Sequence, residues 1–441
     1  MERVRAFFAE IPRRERWLLA GAMLVGFACV AAYVASNRYH PLVGDMAEYD
    51  LQGALFTEGR AWWSTTPFGV EHATAWKAPG YPLWVGFWYS VLGQNATRVE
   101  LVQAFLSPVT VFMVWLLARR LFTPRVAIAS AFVVALAPLA WQFYGLLYPE
   151  ALAIPLTVLA LLLFLGREPS AGRAIAVGAA IGVCMLVRPT SGFLFAGVAA
   201  AWVVAAGWRR GASMTALGVV VAALVIAPWT VRNAIESDGG FIPISVQDAA
   251  AYGTFNDAAA NDPVYPYGWR PQVFEGGEVD FTEGRDLADE ARLRREFQDL
   301  AFDYLSEHPL SVVEAFFWNG LSRLWDVRRP ARAMDEVPFE GRSEALTAIG
   351  LAVYYVLLPL ALYGLWRQRH RRELLYPVLA LALGAAIVFT VASGTRYRAP
   401  IEPLIAILAC SVLAPAKARG DAGASPTAVM FRRRSAPEER N

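Results

Sequence analysis

Long apolar runs separated by short polar links dominate the chain. Ten of them, near 17–36, 99–118, 126–142, 149–166, 174–188, 190–207, 213–230, 347–366, 374–391 and 399–415, come near the ~20 apolar residues that cross a hydrocarbon core. Inside lipid such runs must be helical, because every backbone N–H and C=O needs an internal partner. The pattern predicts an all-α polytopic membrane protein of about ten spans with a small, mostly helical extracytoplasmic domain. A further apolar stretch, "APGYPLWVGFWYSVLG" at 78–93, is about sixteen residues long and rich in aromatics. It reads as an interfacial or re-entrant helix.

The polar links set the sidedness. "ARRLFTPR", "REPSAGR", "GWRRG" and "WRQRHRRE" are short and basic, and all fall on the side of the basic N-terminus and of the tail "FRRRSAPEERN". By the positive-inside rule both termini are expected in the cytoplasm. The start, "MERVRAFFAEIPRRER", leads into an uncleaved helix rather than a signal peptide. Two long segments, 37–98 and 231–346, then fall on the extracytoplasmic side. The expected organisation is a membrane module over 1–230, with the candidate active site in its loop 37–98. An outer domain follows over 231–346, then C-terminal membrane helices over 347–415 and a disordered cytoplasmic tail over 416–441. Within the outer domain two helices, about 285–307 and 309–326, are split at His308-Pro309, where proline favours a break. Trp318 and Trp325 direct the second of them towards the membrane surface.

Composition narrows the class. The chain is 56% hydrophobic and 18% charged with a formal net charge of +2, so nucleic acid is not an expected partner. Cys29, Cys184 and Cys410 each sit in an apolar run and read as packing residues.

Candidate chemistry collects at the outer helix ends. "GDMAEYD" at 44–50 places Asp45, Glu48 and Asp50 just beyond the first span. Asp45 and Glu48 fit a capping box opening a helix; a carboxylate there also suits a general base or cation ligand. On such a helix Asp45, Glu48, Tyr49 and Gln52 share a face, and Asp50 points to solvent. "WKAPGYP" (76–82), "LLYPEAL" (146–152), "RPTSG" (188–192), "PWTVRN" (228–233) and "GTRYRAPIEP" (394–403) lie on the same side. Cations there are either headgroup-snorkelling side chains or ligands converging on one phosphate. Glu150 heads its helix, where it complements the dipole or assists a substrate.

In their order and sidedness these motifs, running from Gly44 to Pro403, resemble the GT-C glycosyltransferases, integral membrane enzymes that use polyprenyl-phosphate-linked sugars. The likeness is to the dolichyl-phosphate-mannose protein mannosyltransferase and lipid A aminoarabinose transferase types, in their broad bacterial form. The resemblance implies transfer of a sugar from a polyprenyl-phosphate donor to a hydroxyl acceptor (glycan, lipid or protein) at the outer face, by inverting single displacement. It makes Asp45 the catalytic acid residue, with Glu48 and Glu150 as further acids for proton transfer or acceptor binding. Lys77, Arg188, Arg232, Arg396 and Arg398 become donor-phosphate ligands, and Tyr49, Tyr81 and Tyr397 substrate-site aromatics. Many relatives carry a second acid directly after the first; here that place is Met46, so a divalent metal loses a ligand and no cofactor is assigned. A transporter of an envelope precursor and a non-catalytic envelope scaffold are the alternatives.

Overall fold

The computed structural model describes residues 11–38, 40–246, 251–270, 284–327, 332–391 and 395–415. The tail expected over 416–441 lies outside them. The protein is a bundle of helices with a helical segment laid over one end, and the described strands amount to one hairpin, Trp63–Ser64 against His72–Ala73.

Six helices are long and apolar enough to cross a membrane alone: Arg13–Ser36, Ala96–Leu121, Pro189–Ala206, Trp208–Glu236, Glu344–Arg367 and Arg372–Val391. The pair Pro124–Leu136 and Pro138–Gly145, bent by 55°, makes a seventh if counted as one broken span. Three more, Glu150–Phe164, Ala171–Val187 and Glu402–Leu413, are apolar but shorter. All ten expected segments are therefore helical, and the protein is a multi-pass membrane protein, but length and apolarity do not establish ten spans. Prolines cause much of the shortfall. Pro138 follows the extended Ala137, and Pro189 follows the extended Arg188, so helices end where the apolar run continues.

Small residues let the helices approach closely, as membrane bundles require. A Cβ on Gly178 would lie 2.2 Å from the Gly218 carbonyl oxygen, and one on Gly182 would lie 3.0 Å from Ala222 Cα, so Ala171–Val187 packs almost backbone to backbone on Trp208–Glu236. Leu24, Val220, Leu224, Val356, Leu383 and Ile387 are exposed on the outside of this apolar bundle.

The stretch at 78–93 forms the helix Gly80–Leu92, whose 13 residues are too few for a span. The expected outer pair is present as Leu287–Glu307 and as Ser311–Ala315 running into a π-helical stretch Phe316–Arg323. The exposed face of that second element is Leu310, Val312, Val313, Phe317 and Leu321. Trp318 and Trp325 instead pack inward against hydrophobic clusters. A further helix in this segment, Arg332–Glu340, was not expected from a stretch containing Pro338.

Candidate active site

Asp45 opens the helix Asp45–Thr57. The capping box does not form. The N-cap residue is Gly44, at φ +55°, and no side chain caps this helix. Glycine is needed there: φ is positive, and a Cβ would lie 2.9 Å from the Phe339 carbonyl oxygen. Freed from capping, the Asp45 carboxylate is held by two cations. Lys77 Nζ donates to Oδ1 at 2.6 Å and Arg396 Nη2 donates to Oδ2 at 2.6 Å. These partners lie 32 and 351 residues away in sequence.

Local folding places each cation. Lys77 precedes Pro79 and the helix Gly80–Leu92, and Gly80 packs so close to the Leu186 carbonyl that a Cβ would stand 2.9 Å from it. This pins the Lys77 loop beside the end of Ala171–Val187, where Arg188 leaves the helix because Pro189 follows. Arg188 Nη1 pairs with Glu150 Oε1 at 2.6 Å, and both side chains are buried. Arg396 sits in a 3₁₀ turn, Thr395–Arg398. Its Nε also faces Glu150 Oε1 at 3.7 Å and Glu340 Oε1 at 3.8 Å.

Aromatic rings hold the cations from their faces, an arrangement that favours guanidinium and ammonium groups. Tyr397 lies 4.3 Å from the Arg188 guanidinium and 5.4 Å from that of Arg396. Tyr148 lies 5.1 Å from Arg396, and Tyr49 lies 5.8 Å from Lys77 Nζ. Tyr81 meets Tyr49 edge-on at 4.8 Å and donates its hydroxyl to Gln103.

Charge in the cluster is closely balanced. Burial pushes the Asp45 carboxyl up, but Lys77 and Arg396 outweigh it and hold the group well below the usual carboxylate range. Burial drives Glu340 the other way: its carboxyl is raised to about 7, against the pull of Arg342.

Not every expected residue joins. Glu48 accepts from Gln52 at 2.8 Å and from Ser64 at 3.0 Å, so it braces its own helix and the hairpin. Asp50 accepts from the Tyr89 hydroxyl and is not simply solvated. Arg232 donates to the Thr74 carbonyl at 3.1 Å and stacks on Trp229, supporting the loop that leads to Lys77. Arg398 is buried, pairs with Glu402 at 3.2 Å, donates to the Leu324 carbonyl and covers the Tyr354 ring. Two residues along a 3₁₀ turn rotate a side chain by about 240°, which separates Arg398 from Arg396. Sequence reasoning missed Tyr148, Glu336, Glu340 and Arg342. Glu336 and Glu340 carried a signal, two acids four residues apart on one helix face. Among the described residues no three His, Cys, Asp or Glu side chains gather as a metal site.

All these residues lie at one end of the bundle. Asp45 follows the first span, Glu150 starts its helix, Arg188 ends its helix and Arg396 precedes the last helix. The basic links carrying Arg120, Arg167, Arg210 and Arg371 join the opposite helix ends.

Residues 76–231 match the family described as dolichyl-phosphate-mannose-protein mannosyltransferase. The apo crystal structure of the Archaeoglobus fulgidus oligosaccharyltransferase is similar at 18% identity and a TM-score of 0.53, covering 90% of this chain and 50% of that one. The archaeal oligosaccharyltransferase AglB from Archaeoglobus fulgidus, in complex with an inhibitory peptide and a dolichol-phosphate, matches at 16% identity, with coverage of 91% and 50% and a TM-score of 0.49. ArnT from Cupriavidus metallidurans bound to undecaprenyl phosphate matches at 17% identity, with coverage of 86% and 77% and a TM-score of 0.37. No curated protein matches the sequence. This chain spans about half the length of the oligosaccharyltransferase. The family match covers residues 76–231, and over the chain as a whole the likeness to the oligosaccharyltransferase is one of membrane fold.

Proposed function

We propose that the protein transfers a sugar from a polyprenyl-phosphate carrier to a hydroxyl acceptor at the extracytoplasmic face of the membrane. The observation that carries this reading is Asp45 clamped between Lys77 and Arg396. An acid and two phosphate-binding cations stand together at the bundle end opposite the basic links, the end that the positive-inside rule puts outside.

The chemistry follows from that pairing. In the ligand-free site Asp45 is a weak base, because two cations stabilise its charge. A donor phosphate competes for Lys77 and Arg396, and Arg396 is suited to bind it bidentately. As the phosphate takes these partners, the half-buried Asp45 loses stabilisation and gains basicity, which brings it towards the range useful for proton removal. The acceptor oxygen then attacks the anomeric carbon and its proton passes to Asp45. The bond from that carbon to the phosphate oxygen breaks, and the electron pair leaves with the phosphate. Lys77 and Arg396 stabilise the charge that develops there. No covalent enzyme intermediate is required, and one displacement inverts the anomeric centre. Arg188 and Glu150 keep Arg396 and Tyr397 oriented, and the half-buried Tyr397 borders the site.

The test is complementation of a deletion strain, read by mass spectrometry of its lipid-linked sugars. Wild type is expected to clear the accumulated donor. Asp45→Asn, with normal insertion, is expected to fall short by about 10²–10⁴-fold in turnover, the usual worth of a general base. Full complementation by that variant defeats the reading.

A further inference from the structure

The helix Arg332–Glu340 belongs to none of the motifs discussed above, yet it touches both halves of the Asp45–Arg396 pair. Glu336 accepts from the Thr395 backbone N–H at 2.9 Å and from its hydroxyl at 2.6 Å, one residue before Arg396. One helical turn later Glu340 is buried with Oε1 at 3.8 Å from Arg396 Nε. Arg342 balances both acids, at 2.6 Å from Glu340 and 4.0 Å from Glu336, over the face of Phe143. At the same end Phe339 packs on Gly44, and Gly341 meets Met46, the residues on either side of Asp45. The groups facing Glu340 are Arg342, Glu336, Arg396, Glu150 and Tyr148.

We propose that this outer helix positions the donor-phosphate ligand. Glu336 fixes the backbone that carries Arg396, and Glu340, countered by Arg342, orients its guanidinium towards Asp45 and the incoming phosphate. Glu336 and Glu340 are thus positioning residues of the outer segment, acting through Arg396. The inference rests on Arg396 as a phosphate ligand. An isolated acid beside that arginine would only compete with the donor; an acid pair with its own arginine can hold Arg396 without neutralising it.

The carboxyl of Glu340 is raised to about 7, so its charge changes across neutral pH. Below that value Glu340 is protonated and its hold on Arg396 is a neutral one; above it, the ionised carboxylate draws on Arg396 and opposes an anionic ligand.

The full-length protein in lipid nanodiscs provides the test, with undecaprenyl phosphate as the probe. Hydrogen exchange of the Thr395 amide in ligand-free protein is expected to rise at least tenfold in Glu336→Ala, with the spans unchanged. Undecaprenyl phosphate is expected to bind this variant three- to tenfold more weakly at every pH. Ionisation of the lipid phosphate raises affinity as pH rises from 6 to 8 and ionisation of Glu340 opposes it, so in Glu340→Gln the affinity is expected to rise more steeply over that range than in wild type. A merely structural role would lower affinity without changing that profile. Unchanged exchange at Thr395, or a wild-type pH profile in Glu340→Gln, overturns the positioning role. If wild type binds no undecaprenyl phosphate, the reading of the site fails instead, and the exchange result alone decides whether the helix positions Arg396.

Discussion

At the scale of single residues, Asp45, Lys77 and Arg396 are informative because each partner alone would be costly. Removing one member of a buried or half-buried ion pair strands the other, at about 3–5 kcal/mol in unfavourable cases. Here Asp45 has two cations and Arg396 has three acids within 4 Å, so no single loss strands a charge completely. Lys77→Ala is therefore expected to leave the fold intact and to remove one charge-assisted contact to phosphate. That contact is worth about 1.5–3 kcal/mol, roughly tenfold to a hundredfold in affinity. Titration of the variant in nanodiscs with undecaprenyl phosphate measures it; unchanged affinity would assign Lys77 to Asp45 alone. At this scale the sequence was readable wherever a motif constrained its own backbone. "RPT" forces Arg188 out of its helix, and Asp45, Lys77, Glu150 and Arg396, each singled out by its motif, lie in one cluster. It was not readable where the partner is distant. Nothing near Arg398 announces Tyr354 and the Leu324 carbonyl as its partners, and nothing near Arg232 announces the Thr74 carbonyl.

At the scale of elements, the loop that carries Lys77 is held by the outer segment. Glu290, buried on the helix Leu287–Glu307, accepts from His72 Nε2 at 2.7 Å, from the Thr74 hydroxyl and from the Ala75 amide at 2.8 Å. Burial pushes His72 down, but the Glu290 carboxylate and the Val70 carbonyl more than offset it, leaving the imidazole raised above 6.5. Asp286 adds to this in the same direction, and Arg232, itself beside Glu236, is a further charge near Glu290. A histidine with a raised pKa contributes stability that is complete below its unfolded value and lost as pH rises through its folded value. The clamp is thus expected to loosen above neutral pH. Exchange of the Ala75 amide checks this: it should accelerate with pH beyond the intrinsic rate in wild type, and His72→Ala should abolish the excess. The hairpin and the helix Arg332–Glu340 escaped sequence reasoning for related reasons. A two-residue strand has no period to read, and Pro338 argues against a helix unless tertiary contacts support it. The long helices were legible because an apolar run of span length has few other structures open to it.

At the scale of the whole molecule, the bundle presents aliphatic side chains outward and keeps most of its ion pairs at helix ends or inside. Leu224, exposed near the middle of Trp208–Glu236, reads as lipid-facing. Leu224→Arg is expected to cost about 2.5–3.5 kcal/mol, the worth of an arginine at mid-membrane on insertion scales. A glycosylation-tag insertion assay on that helix measures it, and unimpaired insertion would mean the position faces protein or water. The number of spans was only partly legible, because hydropathy counts apolar residues and does not register the bend of 55° after Ala137 or helices as short as Glu150–Phe164.

One consequence of the site's charge balance concerns selectivity. Lys77, Arg188, Arg342 and Arg396 are matched by Asp45, Glu150, Glu336 and, above about pH 7, Glu340, so the cluster then exerts little attraction on passing anions. Any ligand that enters must first prise apart contacts already made. A water-soluble sugar phosphate has only its headgroup to offset that work, whereas a molecule with a long hydrocarbon tail brings the additional free energy of partitioning into the bilayer. Under the proposed function, such an arrangement would favour membrane-borne donors and let the spent carrier depart, the ion pairs re-forming once the phosphate withdraws.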